Sequence, residues 1–247
     1  MWKAPIGTDD FLLVTCDEFT LSESYYAPAT SNLKLTMGTT LKLVPDKEIP
    51  RNIAMRGSWN NYVVYIPTRD ANGKMIKQIS LVAQGKEVHE GYLTLTSGNI
   101  IKLAYSYLGD TYGWGGMLDS VDCSAYVRNI YKCFGLEMPR NTNWQREVPD
   151  TAIDLASLDD TAKTAAISSL IPGTPLYLPG HTMIYLGNVN GTCYVISAMG
   201  SASDSVGPLD VTVQNSVAIT SLDVRRRNGN SWLTSITTAV QPWMVKN

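Results

Sequence analysis

The side chains able to form a nucleophile–base pair are few: four cysteines and two histidines among 247 residues. Cys123 begins the segment CSAYVRNIYKCFG, whose apolar residues recur at helical spacing. Gly135 and Pro139 follow, where a helix would end. A cysteine in the first turn of a helix lies at the positive end of the helix dipole, which favours the nucleophilic thiolate. The segment therefore predicts a reactive cysteine; the alternative is a buried structural thiol.

A thiolate nucleophile needs a base within hydrogen-bond reach, and either histidine must supply it. His89 lies between Glu87 and Glu90 in a polar stretch, so we expect it on the surface. His181 begins an apolar segment that is typical of a strand. His181 is therefore the candidate base for Cys123; the alternative is a histidine that merely lies at the edge of a strand.

The loop before Cys123 reads GDTYGWGG, residues 109–116. Its glycines allow the backbone to approach a substrate closely. Asp122, directly before Cys123, is a favourable N-cap residue. This order predicts a substrate-facing loop followed by a capped helix that carries the nucleophile.

Two blocks of sequence resemble the NlpC-type bacterial cell-wall cysteine peptidases. LGDTYGWGG…DCSAYVRNIYKCFGLEMPRNTNWQ resembles their nucleophile segment, and PGHTMIYLG resembles their histidine strand. The resemblance implies an α+β, papain-like catalytic domain with Cys123 as nucleophile and His181 as base. It also implies hydrolysis of peptidoglycan stem peptides at the D-γ-glutamyl–diamino acid bond, with no cofactor or metal. An amidase acting on another cell-wall amide is the alternative enzyme.

The resemblance also assigns roles to the residues around the nucleophile. Tyr112 matches a tyrosine that faces the active site, where its hydroxyl can bind an oxyanion beside the backbone N–H of Cys123; the alternative is aromatic packing within the loop. Trp114 is interpreted mainly as a packing residue. Asp122 and Ser124 occupy positions that help to hold the D-glutamyl part of the peptide.

Four positions carry the remaining expectations from the family pattern. Arg140, Asn141 and Thr142 occupy an R-D-S segment whose acidic residue often binds a free substrate amine, a role that the neutral Asn141 leaves open. Ser197 occupies the position of the third catalytic residue, usually His, Asn or Gln. Ser197, a water molecule or a plain Cys-His dyad are the alternatives there, and an inactive wall-binding protein is the alternative to an enzyme.

The rest of the chain must position these residues. Short apolar runs in residues 9–95, with a hairpin turn at 70–73, predict strands; they resemble a bacterial SH3-like β-barrel. We therefore predict two domains, 1–95 and 96–247. In the second, predicted helices cover 99–108 and 161–170 beside that of Cys123; predicted strands cover 174–178, 182–186 and 192–198, with 211–213 and 222–226 as extensions. Helices first and strands second indicate an α+β fold.

Composition narrows the class of protein. A net charge of −2 and a pI of about 5.7 argue against a nucleic-acid binder. No apolar run approaches the about 18 residues of a membrane span, and the first residues lack the pattern of a signal peptide. The resemblance nevertheless favours a secreted or wall-associated protein whose signal peptide is absent from this chain, and we expect a monomer. Cys16, Cys133 and Cys193 show no zinc or disulfide spacing, so we expect buried thiols.

Overall fold

The structure is a computed structural model that describes residues 10–21, 24–85, 87–147, 151–203 and 211–244. These residues divide into two compact units, one ending at Leu93 and the other starting at Thr94. The predicted domains, 1–95 and 96–247, extend beyond the described residues at both ends of the chain.

The first unit consists of short strands in its described part. They are β1 (Phe11–Val14), β2 (Glu18–Thr20), β3 (Lys34–Thr36), β4 (Thr40–Lys42), β5 (Asn61–Arg69), β6 (Met75–Ala83) and β7 (Val88–Glu90). They pair antiparallel as the sheet β4–β1–β7 and the pairs β2–β3 and β5–β6. Leu12, Val14, Val64 and Val82 form the centre of one apolar core. The prediction of strands is confirmed, whereas an SH3-like barrel stays a prediction.

Pro67 lies within its strand, although a residue without an N–H group would be expected to end it. β5 continues to Arg69, and Pro67 lies opposite Lys77 of β6. A proline is tolerated in an edge strand where the missing N–H would point away from the partner. The predicted turn after this strand is present: the N–H of Gly73, at φ 77°, donates to the carbonyl of Asp70 at 3.0 Å.

The second unit places its helices before and around a six-stranded antiparallel sheet. The helices are α1 (Ser97–Ser106), α2 (Cys123–Lys132), α3 (Thr142–Gln145), α4 (Asp160–Ser168) and α5 (Trp232–Ser235). The strands are β8 (Ala152–Asp154), β9 (Pro175–Leu178), β10 (His181–Val189), β11 (Thr192–Ser203), β12 (Val211–Ser221) and β13 (Thr238–Val240). The sheet order is β12–β11–β10–β9–β13–β8. This arrangement confirms the α+β class.

The strand predicted at 222–226 is wrong. β12 ends at Ser221, and the following residues form a turn in which the N–H of Arg226 donates to the carbonyl of Asn230 at 2.9 Å. In place of the predicted strand there is one isolated β-bridge, between Arg225 and Ser203. β8 and β13 were not predicted, because three-residue strands are too short to show alternation. No helix within the described ranges is long and apolar enough to cross a membrane.

Helix α2 is held by its buried face. Tyr126, Val127, Ile130 and Tyr131 are fully buried, and the helix lies against β10 and β11. The Tyr126 hydroxyl donates to the carbonyl of Ala104 in α1 at 3.1 Å. Helix α2 is therefore fixed to both the sheet and α1, which fixes the residue at its N-terminus.

The four cysteines are free thiols. Cys133 and Cys193 are buried as predicted. Cys16 is only partly buried, which corrects the expectation for that residue; its thiol donates to the carbonyl of Glu18 at 3.2 Å. Cys16 lies two residues beyond the end of β1 and packs against the edge of the apolar core that contains Leu12 and Val14.

Ile130→Ala should destabilise the second unit by about 3 kcal/mol, because it removes a fully buried side chain and leaves a cavity under α2. Hydrogen–deuterium exchange of α2 peptides measures the opening free energy of this unit. Lys102→Ala, on the exposed face of α1, is the control and should change that free energy by less than about 0.5 kcal/mol. Equal protection in both variants would contradict the packing of α2 described here.

Candidate active site

Cys123 is the first residue of α2, as the sequence predicts. The Asp122 carboxylate caps the helix by accepting the N–H of Ala125 at 2.8 Å. The backbone of Thr182, in β10, lies near the Cys123 sulfur and favours its thiolate form. The Thr142 hydroxyl, at the start of α3, lies 3.9 Å from the same sulfur. The thiol thus lies where α2, α3 and β10 meet.

The charge state of Cys123 differs from the sequence-based expectation. Burial raises the pKa of the thiol, and the negative charge of Asp122 raises it further. The hydrogen bonds from Thr182 and Thr142 stabilise the thiolate but do not outweigh burial. The expectation that the helix N-terminus yields a thiolate is therefore wrong for the free protein, because Cys123 is only 8% exposed. At neutral pH it is a thiol.

His181 is the first residue of β10, directly before the residue whose backbone lies near the thiol. Its ring lies against Trp232, with centroids 4.9 Å apart. Burial, and then the charge of Arg226, lower the pKa of His181 to about 4. The imidazole is therefore neutral at neutral pH and able to accept a proton.

Ser197 is brought to the imidazole by the neighbouring strand. Its Oγ lies 3.1 Å from Nε2 of His181, and the side chain is completely buried in β11. Because Nε2 has this partner, Nδ1 is the ring nitrogen left for proton transfer with a thiol. A neutral hydroxyl orients the ring but contributes no charge to stabilise an imidazolium.

Tyr112 and Trp114 lie in the glycine-rich loop. Burial raises the pKa of Tyr112, and the nearby charges of Cys123 and Asp122 raise it further, which places this phenol beside the nucleophile. Trp114 is 82% exposed and lines the cleft at Cys123, so its interpretation as a packing residue is wrong. At Gly113 a Cβ would lie 1.8 Å from Ser120 Oγ; the loop's tight course therefore requires glycine there.

Asp122, Ser124 and Arg140 form one network beside the nucleophile. Arg140 donates to both carboxylate oxygens of Asp122 and, at 2.8 Å, to Ser124 Oγ. Ser124 Oγ donates to Asp122 Oδ1 at 3.1 Å, and the N–H of Gly115 donates to Oδ2 at 3.1 Å. Hydrogen bonds from Arg140, Ala125 and Ser124 hold the pKa of Asp122 below its ordinary value although burial opposes them. The carboxylate is thus fully engaged within the protein.

Asn141 has a structural role. It is the N-cap of α3, and its Oδ1 accepts the N–H of Asn143 at 2.8 Å. The residue also lines the cleft at Cys123. Its side chain carries no negative charge with which to bind a substrate amine.

Two clefts meet at this site. One, of about 440 Å³, is lined by Cys123, Tyr112 and Arg140 among others. The other, of about 450 Å³, is lined by His181 and Arg226 among others. Gly180 lines both, which makes it the junction between the nucleophile side and the histidine side.

The surroundings of the thiol and of the imidazole were not predicted. Thr142, which the resemblance placed in the R-D-S segment without a role, and the backbone of Thr182 lie near the thiol, while Arg226 and Trp232 flank His181. In the sequence, the cluster RRRNGN at 225–230 indicates an exposed basic turn. It does not indicate that this turn lies beside His181. Within the described part of the chain, no three His, Cys, Asp or Glu side chains are arranged to hold a metal ion.

Comparisons with known proteins identify a family for part of the chain. Residues 109–198 match the NlpC/P60 family. Dipeptidyl-peptidase 6 of Lysinibacillus sphaericus is 28% identical over 113 residues, which cover 45% of this chain and 36% of that protein. The chain thus spans only about a third of this curated relative.

Two solved structures have a similar fold over 94% of this chain. An NlpC/P60 endopeptidase from Photobacterium damselae subsp. piscicida has a TM-score of 0.70 at 17% identity, with 53% of its own chain covered. An NlpC/P60 family protein from Bacillus cereus ATCC 10987 has a TM-score of 0.55 at 18% identity, with 63% covered. Residues 109–198, a range that includes Cys123 and His181, are therefore identified as an NlpC/P60 family domain.

Proposed function

We propose that this protein is a cysteine peptidase that hydrolyses peptidoglycan stem peptides at the bond between D-γ-glutamate and a diamino acid. The proposal is carried by the position of Cys123 at the start of α2, near the backbone of Thr182, because Thr182 directly follows His181 in β10. The Ser197 hydroxyl at Nε2 leaves Nδ1 of that ring for the thiol. The family match supports the substrate class.

Acylation begins from a neutral thiol and a neutral imidazole. His181 accepts the thiol proton as the Cys123 sulfur attacks the γ-carbonyl carbon of the glutamyl residue. The resulting oxyanion is bound by the backbone N–H of Cys123 and the hydroxyl of Tyr112. Collapse breaks the C–N bond, and the imidazolium gives its proton to the leaving amine.

Deacylation repeats these transfers with water. Neutral His181 accepts a proton from a water molecule, whose oxygen attacks the thioester carbonyl. The C–S bond then breaks, and the proton returns to sulfur. The products are the glutamyl carboxylic acid and the regenerated thiol, so the step balances without a cofactor.

The network of Asp122, Ser124 and Arg140 holds the acyl part of the substrate in this proposal. The Asp122 carboxylate already accepts hydrogen bonds from the protein, so its contribution is to position Ser124 and Arg140. Arg140 remains about half exposed and can donate further hydrogen bonds to the glutamyl α-carboxylate. Asn141 offers a substrate amine no charge, so binding of a free N-terminus there is weak. We propose that the monomer acts on the cell wall outside the cytoplasm.

Cys123→Ala and His181→Ala should each reduce the turnover of muropeptides to the background rate, because neither the nucleophile nor the base can be replaced. The measurement is mass spectrometry of defined muropeptides, which also distinguishes this bond from other wall amides. His89→Ala changes the chain's other, exposed histidine and should retain parental activity. Retained activity in His181→Ala would contradict the assignment of the base.

Ser197→Ala should lower the acylation rate by about ten-fold or less, because a neutral hydroxyl orients the imidazole without stabilising its charged form. Single-turnover acylation isolates this step from product release. Ser203→Ala, a buried serine further along the same strand, controls for packing changes in β11. A thousand-fold loss in folded Ser197→Ala would show that Ser197 is essential.

The acidic limb of the pH profile of kcat/KM should have its midpoint at an unusually low pH. The base form of His181 exists above its pKa of about 4, so protonation removes activity near that value, not near the ordinary 6.5. The raised pKa of Cys123 keeps the nucleophile a thiol until above the ordinary 9.0. Activity should therefore be flat from about pH 5 to 8. An acidic midpoint near 6.5, or alkylation of Cys123 with a thiolate pKa below 7, would instead indicate a preformed ion pair.

A further inference from the structure

The cleft on the histidine side is basic. Its lining includes Arg226 and Arg227, and no Asp or Glu of the described residues lines it. Arg226 forms no ion pair within the described ranges, in contrast to Arg140, which pairs with Asp122 in the other cleft. An unneutralised guanidinium facing a cleft of about 450 Å³ is suited to bind an anionic group.

Arg226 is held in place by the backbone around it. Its Nη2 donates to the carbonyl of Pro179 at 2.9 Å, directly before the Gly180 junction. Its own N–H donates to Asn230 and its carbonyl accepts from Gly229, both at 2.9 Å, so the turn that carries it is closed. One contact leaves most of the five guanidinium donors available to a ligand.

The position of this cleft identifies which part of a substrate it receives. The thiol attacks the acyl carbon, and the imidazolium protonates the amine that leaves. The cleft lined by Cys123 therefore receives the acyl part, and the cleft lined by His181 receives the leaving residue. The two arginines lie on the leaving side.

We propose, on the basis of the peptidase function proposed above, that Arg226 and Arg227 bind a carboxylate carried by the leaving residue. The enzyme then selects diamino acids that bear a carboxylate, such as diaminopimelate, over lysine, whose only charged side-chain group is a cation. Two sources share this chemistry: a carboxylate on the side chain, and the α-carboxylate of a leaving residue that ends the peptide.

Such a carboxylate also affects the proton transfer. The charge of Arg226 disfavours the imidazolium form of His181. A bound carboxylate offsets that charge and so favours the imidazolium that must form before the amine leaves. A lysine ammonium in the same cleft has the opposite effect.

The test uses four peptides L-Ala-γ-D-Glu-X-amide that separate the two charged groups. X is diaminopimelate with both groups, lysine with the amine only, 2-aminopimelate with the carboxylate only, and norleucine with neither. We expect kcat/KM to be about ten-fold higher with the carboxylate than without it, irrespective of the amine, as for one charge-assisted hydrogen bond. The lysine peptide with a free C-terminus tests the second source, and a gain there assigns the carboxylate to the terminus.

Arg226→Gln and Arg227→Gln should each lower the ratio of kcat/KM for the 2-aminopimelate peptide to kcat/KM for the norleucine peptide toward one. The ratio is the readout because loss of the Arg226 charge also changes His181 itself, and so the rate for both peptides. Arg226→Lys keeps the charge and should retain part of the selectivity. Arg69→Gln is the matched control, because Arg69 is another arginine whose guanidinium donates to a backbone carbonyl, that of Gly73 at 3.1 Å. Equal cleavage of all peptides by the parent, or selectivity that survives both arginine variants, overturns the proposal.

A second readout does not depend on cleavage. In a Cys123→Ala, His89→Ala protein, His181 is the only histidine, and its NMR titration reports the charge of the cleft. Added 2-aminopimelate amide should raise the pKa of His181, norleucine amide should not, and Arg226→Gln should abolish the rise. If no peptide is cleaved, the peptidase function fails, and this titration alone supports or overturns the carboxylate site.

Discussion

The Asp122 carboxylate is the interaction on which the geometry of the site depends. One oxygen caps α2 through Ala125, and the other accepts the N–H of Gly115 in the loop. Arg140 donates to the same carboxylate and so attaches the segment that leads to α3. One side chain therefore joins the nucleophile helix, the substrate-facing loop and the segment that carries Thr142. Because the carboxylate is partly buried, each of these partners also offsets its desolvation.

The Asp122 carboxylate also disfavours the thiolate form of Cys123. A negative charge next to Cys123 opposes a second negative charge on sulfur, and burial acts in the same direction. His181 is kept neutral by burial and by Arg226. The resting site therefore holds an uncharged pair, and in the proposed reaction charge develops only when a substrate carbonyl is attacked. For that reaction, hydrogen-bond donors near the sulfur and the oxyanion would contribute mainly to the transition state.

The local features of the site could be predicted from sequence because they depend on neighbours along the chain. The cap at Asp122, the start of α2 at Cys123 and the strand that begins at His181 follow from residue type and period. The pKa of Cys123 could not be predicted, because it depends on burial by elements distant in sequence. Trp232 and Arg226 reach His181 through a turn after β12, where the sequence predicted a strand. In the first unit the short strands were predictable, and the SH3-like barrel stays a prediction.

Gly180, which lines both clefts, contributes no side chain to either of them. It has a φ of 82°, which disfavours any other residue, and a Cβ placed there would meet no protein atom within 4 Å. A side chain at this position would therefore project from a residue that lines both clefts. Gly180→Ala should consequently affect a ligand that occupies both clefts more than a ligand that occupies one of them.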